Sequence, residues 1–166
     1  MRNFLVFTAV VALVFCVAGE GFAQASVNQN VTLAVDPIYL MSVSGDPAPL
    51  TITSGTAGSD ILTPVTDNST NYSITQNVAA TVKITAEIDA ALAAGYTLEV
   101  NLASGQGTSL GDVDISSATA GSAADVVTGI ALGADASQTI QYTFGALASA
   151  GQLAATARVV TLTLTN

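Results

Sequence analysis

Histidine and tryptophan are absent from this 166-residue chain, and its one cysteine, Cys16, lies close to the N-terminus. Basic residues are nearly as scarce: Arg2, Lys83 and Arg158 stand against twelve acidic side chains, for a net charge of −9. Each shortage excludes a class of function. His is the side chain that titrates near neutral pH without perturbation, so acid–base and nucleophile–base catalysis lose their commonest member. After Cys16 there is no thiolate for nucleophilic attack or for a soft metal, and a lone Cys leaves no internal disulfide to hold a small exported domain together. Nucleic acid and anionic membrane surfaces are disfavoured as partners, because affinity for either rests on clustered Lys and Arg.

What is present first addresses the compartment. Arg2 supplies a positive n-region, Phe4 to Ala18 form an apolar stretch, and Ala23-Gln24-Ala25 is a small-x-small cleavage site. This is the pattern of a secretory signal peptide over residues 1–25. A retained anchor needs about 20 apolar residues, and Gly19-Glu20-Gly21 interrupts the run. A lipid-acceptor reading of Cys16 is disfavoured by the bulk of Phe15 before it. The expectation is an exported protein, extracellular or at the cell surface, with residues 26–166 as one domain and no membrane span after the leader.

Period-two alternation runs through nearly all of residues 26–166, broken at short intervals by Gly, Asn, Asp and Pro, which is all-β patterning. Val31, Leu33 and Val35 share one face of an extended segment that Asp36-Pro37 ends or bends. Ile38 to Val43 is almost continuously apolar and predicts a buried strand. Gly45 to Pro49 must turn; Leu50 to Thr53 predicts a short strand, and Ser54 to Thr70 reads as loop with an edge strand near Ile61. Tyr72 and Ile74, then Val82, Ile84, Ala86 and Ile88, then Leu98, Val100 and Leu102, give three strands with one wet face each. Asp89 to Gly95 predicts one helical turn with an Asp cap and a Gly stop. Further strands are expected at 113–116, 125–130, 139–144 and 158–165. Eight to ten short strands separated by turn signals predict an Ig-like Greek-key β-sandwich.

Few residues are candidates for chemistry. Asp112 and Asp114, placed on one strand face, could contribute with Asp125 or Asp135 to a Ca²⁺ site, which takes 6–8 oxygen ligands, although no EF-hand-like loop surrounds them and a solvated strand face explains them equally. A glycosidase reading of the same pair lacks aromatic sugar platforms: the aromatics after the leader are Tyr39, Tyr72, Tyr96, Tyr142 and Phe144, better placed in a core. No other cofactor is expected. Lys83 alternates onto the wet face, which disfavours an internal isopeptide bond. Asn30, Asn68 and Asn71 begin Asn-x-Ser/Thr triplets, and Gly105-Gln106-Gly107 reads as a turn because no strand-to-helix context makes it a phosphate loop.

Val27-Asn28-Gln29-Asn30-Val31-Thr32-Leu33-Ala34-Val35-Asp36-Pro37 resembles the start of alpha-class chaperone–usher fimbrial subunits, whose extended N-terminal arm of alternating apolar residues runs into Val-Asp-Pro. The final strand, Arg158 to Asn166, resembles the Thr/Val/Leu-rich last strand of pilin and spore-coat-type Ig-like domains. The resemblance is confined to these two ends. It implies an arm that fills the groove left by a missing strand in a neighbouring subunit, head-to-tail growth, and a periplasmic chaperone and usher as partners.

The residues of the arm suit that role on their own terms. Val27, Val31, Leu33 and Val35 lie on one side of an extended chain, with Gln29 at the skipped position. Alternation says only that one face is buried. Residues 26–35 could donate a strand to another copy by β-augmentation, or fold back as the first strand of their own sandwich. The expected function is a secreted, non-enzymatic structural subunit of a surface fibre or extracellular matrix, with copies of itself or other fibre subunits as partners. The alternative is a monomeric adhesion module recognising a glycan or surface ligand, with or without Ca²⁺; a hydrolase is the third and least supported reading.

Overall fold

The computed structural model describes residues 25–79 and 81–166. The signal-peptide expectation therefore falls, but for Ala25, outside the described residues. One compact unit spans Val35–Asn166, and residues 25–34 belong to a separate N-terminal unit. In that N-terminal part, residues 25–34 form no helix or strand, and all are exposed.

Among the described residues, the compact unit is a β-sandwich of nine strands. In chain order they are β1 (Tyr39–Val43), β2 (Val65–Gln76), β3 (Val82–Ile88), β4 (Tyr96–Leu102), β5 (Thr108–Ser109), β6 (Val113–Asp114), β7 (Ala124–Ile130), β8 (Gly133–Ala146) and β9 (Val160–Thr165). A 3-10 turn, Ala148–Ala150, follows β8. One sheet has the order β1-β2-β8-β4-β6 and the other β5-β7-β3-β9. Every strand pairing is antiparallel.

Both sheets send one face into a common core. Strand β3 is the purest case: Val82, Ile84, Ala86 and Ile88 are buried, while Lys83, Thr85 and Glu87 between them stay half-exposed. Tyr72, Ile74, Val100, Leu102 and Ile140 close the core from the larger sheet, with Val126 and Val127 of β7 opposite. Full burial of a Val, Leu, Ile or Phe side chain is worth roughly 1.5–3 kcal/mol. These strands therefore hold the fold without disulfides.

Several expectations are corrected. Strand β1 forms as predicted but is not buried; it is an edge strand on which only Met41 is even half-buried. Leu50–Thr53 forms no strand, though Leu50 packs against the core. Strand β2 begins at Val65, inside the stretch read as loop. Asp89–Gly95 makes no helix: the Asp89 carboxylate accepts from the backbone N–H of Val159 at 3.2 Å and so ties the loop to the start of β9. Gly95, at φ 89°, instead sits in the turn that leads into β4. Strand β6 is two residues long, and β8 begins six residues before the predicted Thr139 because Gly133–Gln138 pairs along β2.

Candidate assembly surface

The apolar face of the arm is bare. Val27 is 87% exposed, Val31 73%, Leu33 87% and Val35 80%. Their spacing in the sequence would set them on one side of an extended strand. Where the arm enters the compact unit, Asn77 grips the backbone on both sides of Pro37. Its Nδ2 donates to the Asp36 carbonyl at 2.9 Å, its Oδ1 accepts from the Ile38 N–H at 2.6 Å, and its own N–H donates to the Ile38 carbonyl at 3.3 Å.

Two rows of inward side chains are only partly covered along one flank of the sandwich. The register of β1 against β2 sets Tyr39, Met41 and Val43 opposite Gln76, Ile74 and Tyr72, all three buried. Residues directly opposite share a face, so those three β1 side chains point inward. Yet Tyr39 is 37% and Val43 54% exposed. The other sheet ends on the same side with β9, whose inward residues Val160, Leu162 and Leu164 are only half-buried. Among the described residues, the backbone of β9 has no ladder on the side away from β3. Strands β1 and β9 approach each other, so both partly covered rows lie on one flank.

The acidic residues do not gather. Asp114 lies in β6, and its Oδ1 accepts from both the N–H, at 2.8 Å, and the hydroxyl of Ser116. Asp112 sits just before that strand and accepts from Asn101 Nδ2 at 3.0 Å. Asp125 is on the other sheet, 2.7 Å from Lys83 Nζ. This is a half-exposed ion pair on neighbouring strands, the surface setting expected for Lys83. Among the described residues no group of three or more acidic, His or Cys side chains is disposed to hold a metal ion.

Asp135 is the buried exception. Its Oδ2 accepts from Ser104 Oγ at 3.0 Å, Gly105 N–H at 2.7 Å and Gln106 N–H at 3.1 Å, and Ser104 Oγ in turn accepts from Gly107 N–H at 2.9 Å. A buried carboxylate is tolerated when several donors satisfy it, and here it braces the turn at 104–107. The turn was legible; its anchor was not. A β-bulge explains why: Ala136 and Ser137 oppose Ser73 alone, with Ser137 at φ 54° and its N–H bonded to Ser73 Oγ at 3.0 Å. The extra residue reverses the alternation of β8, so Asp135 turns inward although Ile140 and Tyr142 beyond the bulge do too.

Two shallow depressions border β1. One, of about 170 Å³, is lined by Ser42, Val43, Ser44, Asn71, Ser73 and Ser137; the other, of about 390 Å³, by Leu40, Met41, Ser42, Ser73, Ile74 and Thr75. Neither contains a charged side chain. The acidity of Tyr72 and Tyr142 is displaced, in both cases upward. Burial raises Tyr142 to about 12. Burial also raises Tyr72, with the Ser104 hydrogen bond opposing and the Asp135 charge adding to the shift. Both are core residues, with Tyr72 Oη donating to the Ala103 carbonyl at 2.5 Å.

No family model, curated protein or solved structure matches the chain.

Proposed function

We propose that this is a secreted, non-enzymatic structural subunit of a surface fibre or extracellular matrix, joined to its neighbours by strand donation through residues 26–35. The observation that carries the reading is the arm: Val27, Val31, Leu33 and Val35 are spaced to share one face of an extended strand, and all are more than 70% exposed. A strand added to a sheet edge gains backbone hydrogen bonds and buries alternate side chains. An arm of this kind therefore has much to gain from a partner. Pilus-like assembly with a chaperone and usher is the form suggested by the sequence resemblance, and export by the N-terminal leader is its precondition. The non-enzymatic part rests on the residue inventory, with no His in the chain and no Cys after Cys16.

The test is the state of the purified chain from Ser26 onward, followed by size exclusion and negative-stain microscopy as concentration rises. Linear head-to-tail polymers are expected, and removing residues 26–35 should leave a folded monomer. A chain that stays monomeric at every concentration and loses its fold with the arm would overturn the proposal.

A further inference from the structure

We propose that β1 is a self-pairing edge: β1 of one copy adds antiparallel to β1 of a second across a two-fold axis at Met41, joining their two five-stranded sheets edge to edge. The pairing needs only the folded sandwich and makes no use of residues 26–35.

The open groups of β1 follow from its register. Just beyond the two ends of the strand, the Ser44 N–H donates to the Asn71 carbonyl at 2.9 Å and the Asn77 N–H to the Ile38 carbonyl at 3.3 Å. Antiparallel ladders bond at every second residue, so Leu40 and Ser42 turn their backbone groups toward Thr75 and Ser73 of β2. Tyr39, Met41 and Val43 turn theirs the other way, where among the described residues no partner meets them. A second β1 centred on Met41 sets Met41 against its own counterpart and Tyr39 against Val43. These are the residues with open groups, and each facing pair can exchange two hydrogen bonds. The edge is therefore complementary to itself under a two-fold axis, the commonest symmetry of a dimer.

Strand β1 carries none of the features that ordinarily prevent such addition. It is five residues long, runs against β2 without a bulge, and contains no Lys, no Pro and no charge. Tyr39, Leu40 and Val43 are all exposed, so apolar side chains stand in water on both faces of the strand. In the paired register Leu40 lies opposite Ser42 on the outer face and Tyr39 opposite Val43 on the inner one, close enough for cross-strand contact. Both exposed rows gain cover at once.

Charge favours a second copy at this edge over any other. The chain carries −9, so two copies repel over most of their surface. Neither β1 nor the segment Asn71–Gln76 of β2 beside it has a charged side chain. Asp36 and Asp46, the nearest charges in sequence, lie beyond Pro37 and Gly45, which end the strand. The remaining edges are less suited: β5 and β6 are two residues long, Asp114 lies in β6, and β9 runs beside Lys83 and Glu87 of β3. Five residues a side falls short of the ~20–30 of a stable interface. Free chains therefore run as monomers, and the contact lasts where copies are held side by side, as in a fibre or matrix.

Cysteine cross-linking traps a weak contact and reads its register, since the chain from Ser26 onward has no thiol of its own and a disulfide needs Cα atoms about 4.4–6.8 Å apart. In the two-fold register Leu40 and Ser42 face each other at about 4.5 Å, whereas Leu40 and its counterpart lie diagonally at about 7–8 Å. Single-cysteine chains are mixed in pairs and oxidised mildly, with the melting temperature of each variant checked. Leu40→Cys with Ser42→Cys should give heterodimer several-fold above the homodimer of either and above Leu40→Cys with Thr108→Cys in β5. Tyr39→Cys with Val43→Cys is the second pair of the same register and should link likewise. Linkage should persist when each chain also carries Leu33→Asp, because the arm takes no part. Predominant Leu40–Leu40 linkage would overturn the antiparallel register, and equal yields for all pairs would reduce the contact to random collision and overturn the proposal. Preferred linkage of Thr32→Cys to Ser42→Cys would give the edge to the arm, and loss of the β1 linkage with Leu33→Asp would show that the arm brings the copies together; either would overturn self-pairing. Polymers without β1 linkage would overturn this inference and leave strand donation standing, whereas β1 linkage in a chain that never polymerises would do the reverse.

Discussion

Ala86 and Leu162 stand opposite each other across β3 and β9, and the smaller side chain is the better buried: Ala86 is fully enclosed, whereas Leu162 remains half-exposed. The hydrophobic effect runs the other way, since the larger aliphatic group gains more from burial. Their inversion marks where the sandwich lacks cover. In the monomer, Ile84→Ala in the centre of β3 should cost about 2–5 kcal/mol, the range for a closed core site, because Ile84 is fully buried. Leu162→Ala should cost clearly less. Denaturant unfolding of the two variants checks the ranking, and equal losses would mean that the β9 flank is already closed.

Asp135 should be the most sensitive carboxylate. Asp135→Ala strands three donors from Ser104, Gly105 and Gln106 in a buried turn, and one such unsatisfied buried group costs about 1–3 kcal/mol. A loss of at least about 2 kcal/mol is expected from the alanine variant on that basis. Asn keeps an acceptor oxygen at the site and should lose less. Asp112→Ala, on an exposed loop, should fall within about 0.5 kcal/mol of wild type. Equilibrium unfolding of the three variants would show the order.

Stability should fall in strong alkali. Tyr142 is raised from 10.0 to about 12 by burial, so the folded state keeps a proton that the unfolded chain has released. The contribution is fully present below pH 10.0 and is lost as pH rises through about 12. Its full extent is of the order of 2–3 kcal/mol, at 1.36 kcal/mol per pKa unit. Tyr72 shifts in the same direction and adds to the loss. Melting temperature against pH, compared with Tyr142→Phe, tests this; the variant should show the shallower alkaline decline.

Much of the fold was legible wherever alternation was strict. Strand β3 and strand β4 appear as read, because every second residue from Val82 to Ile88 and from Tyr96 to Leu102 is buried and neither strand carries a bulge against its own alternation. The failures have separate physical causes. Ile38 to Val43 looks buried by composition, but burial also depends on what lies across from it, and no strand of the opposite sheet fully covers Tyr39 or Val43. Asp89 has the residue type of a helix cap, yet its oxygen bonds Val159 instead, a contact seventy positions away in sequence. Asp135 could be named as an acid but not placed, since the bulge at Ser137 that turns it inward leaves no mark in the local pattern. The alternation of residues 26–35 is visible in the sequence, while the open edge of β9 exists only in three dimensions.

Trypsin should distinguish the chain's two basic sites in the domain. Lys83 lies within β3 with neighbours on both sides, whereas Arg158 precedes β9 in an irregular segment. This corrects the expectation that both lie within strands. Cleavage of the monomer should occur first after Arg158, releasing Val159–Asn166. Mass spectrometry of a digestion time course gives the order. Earlier cutting at Lys83 would contradict the sheet in which it is placed.

The central claim, that residues 26–35 act between copies through their apolar face, is tested most directly by the polymer fraction of Leu33→Asp beside that of Thr32→Asp. Leu33 lies on the apolar face and Thr32 on the other, one residue apart. A charge driven into an apolar groove without a partner is strongly disfavoured, so Leu33→Asp should abolish most of the polymer while Thr32→Asp leaves most of it. Both monomers should melt as wild type does, because Leu33 is 87% exposed. Equal polymer fractions for the two variants, or a Leu33→Asp monomer that melts well below wild type with no polymer formed by either chain, would contradict the account.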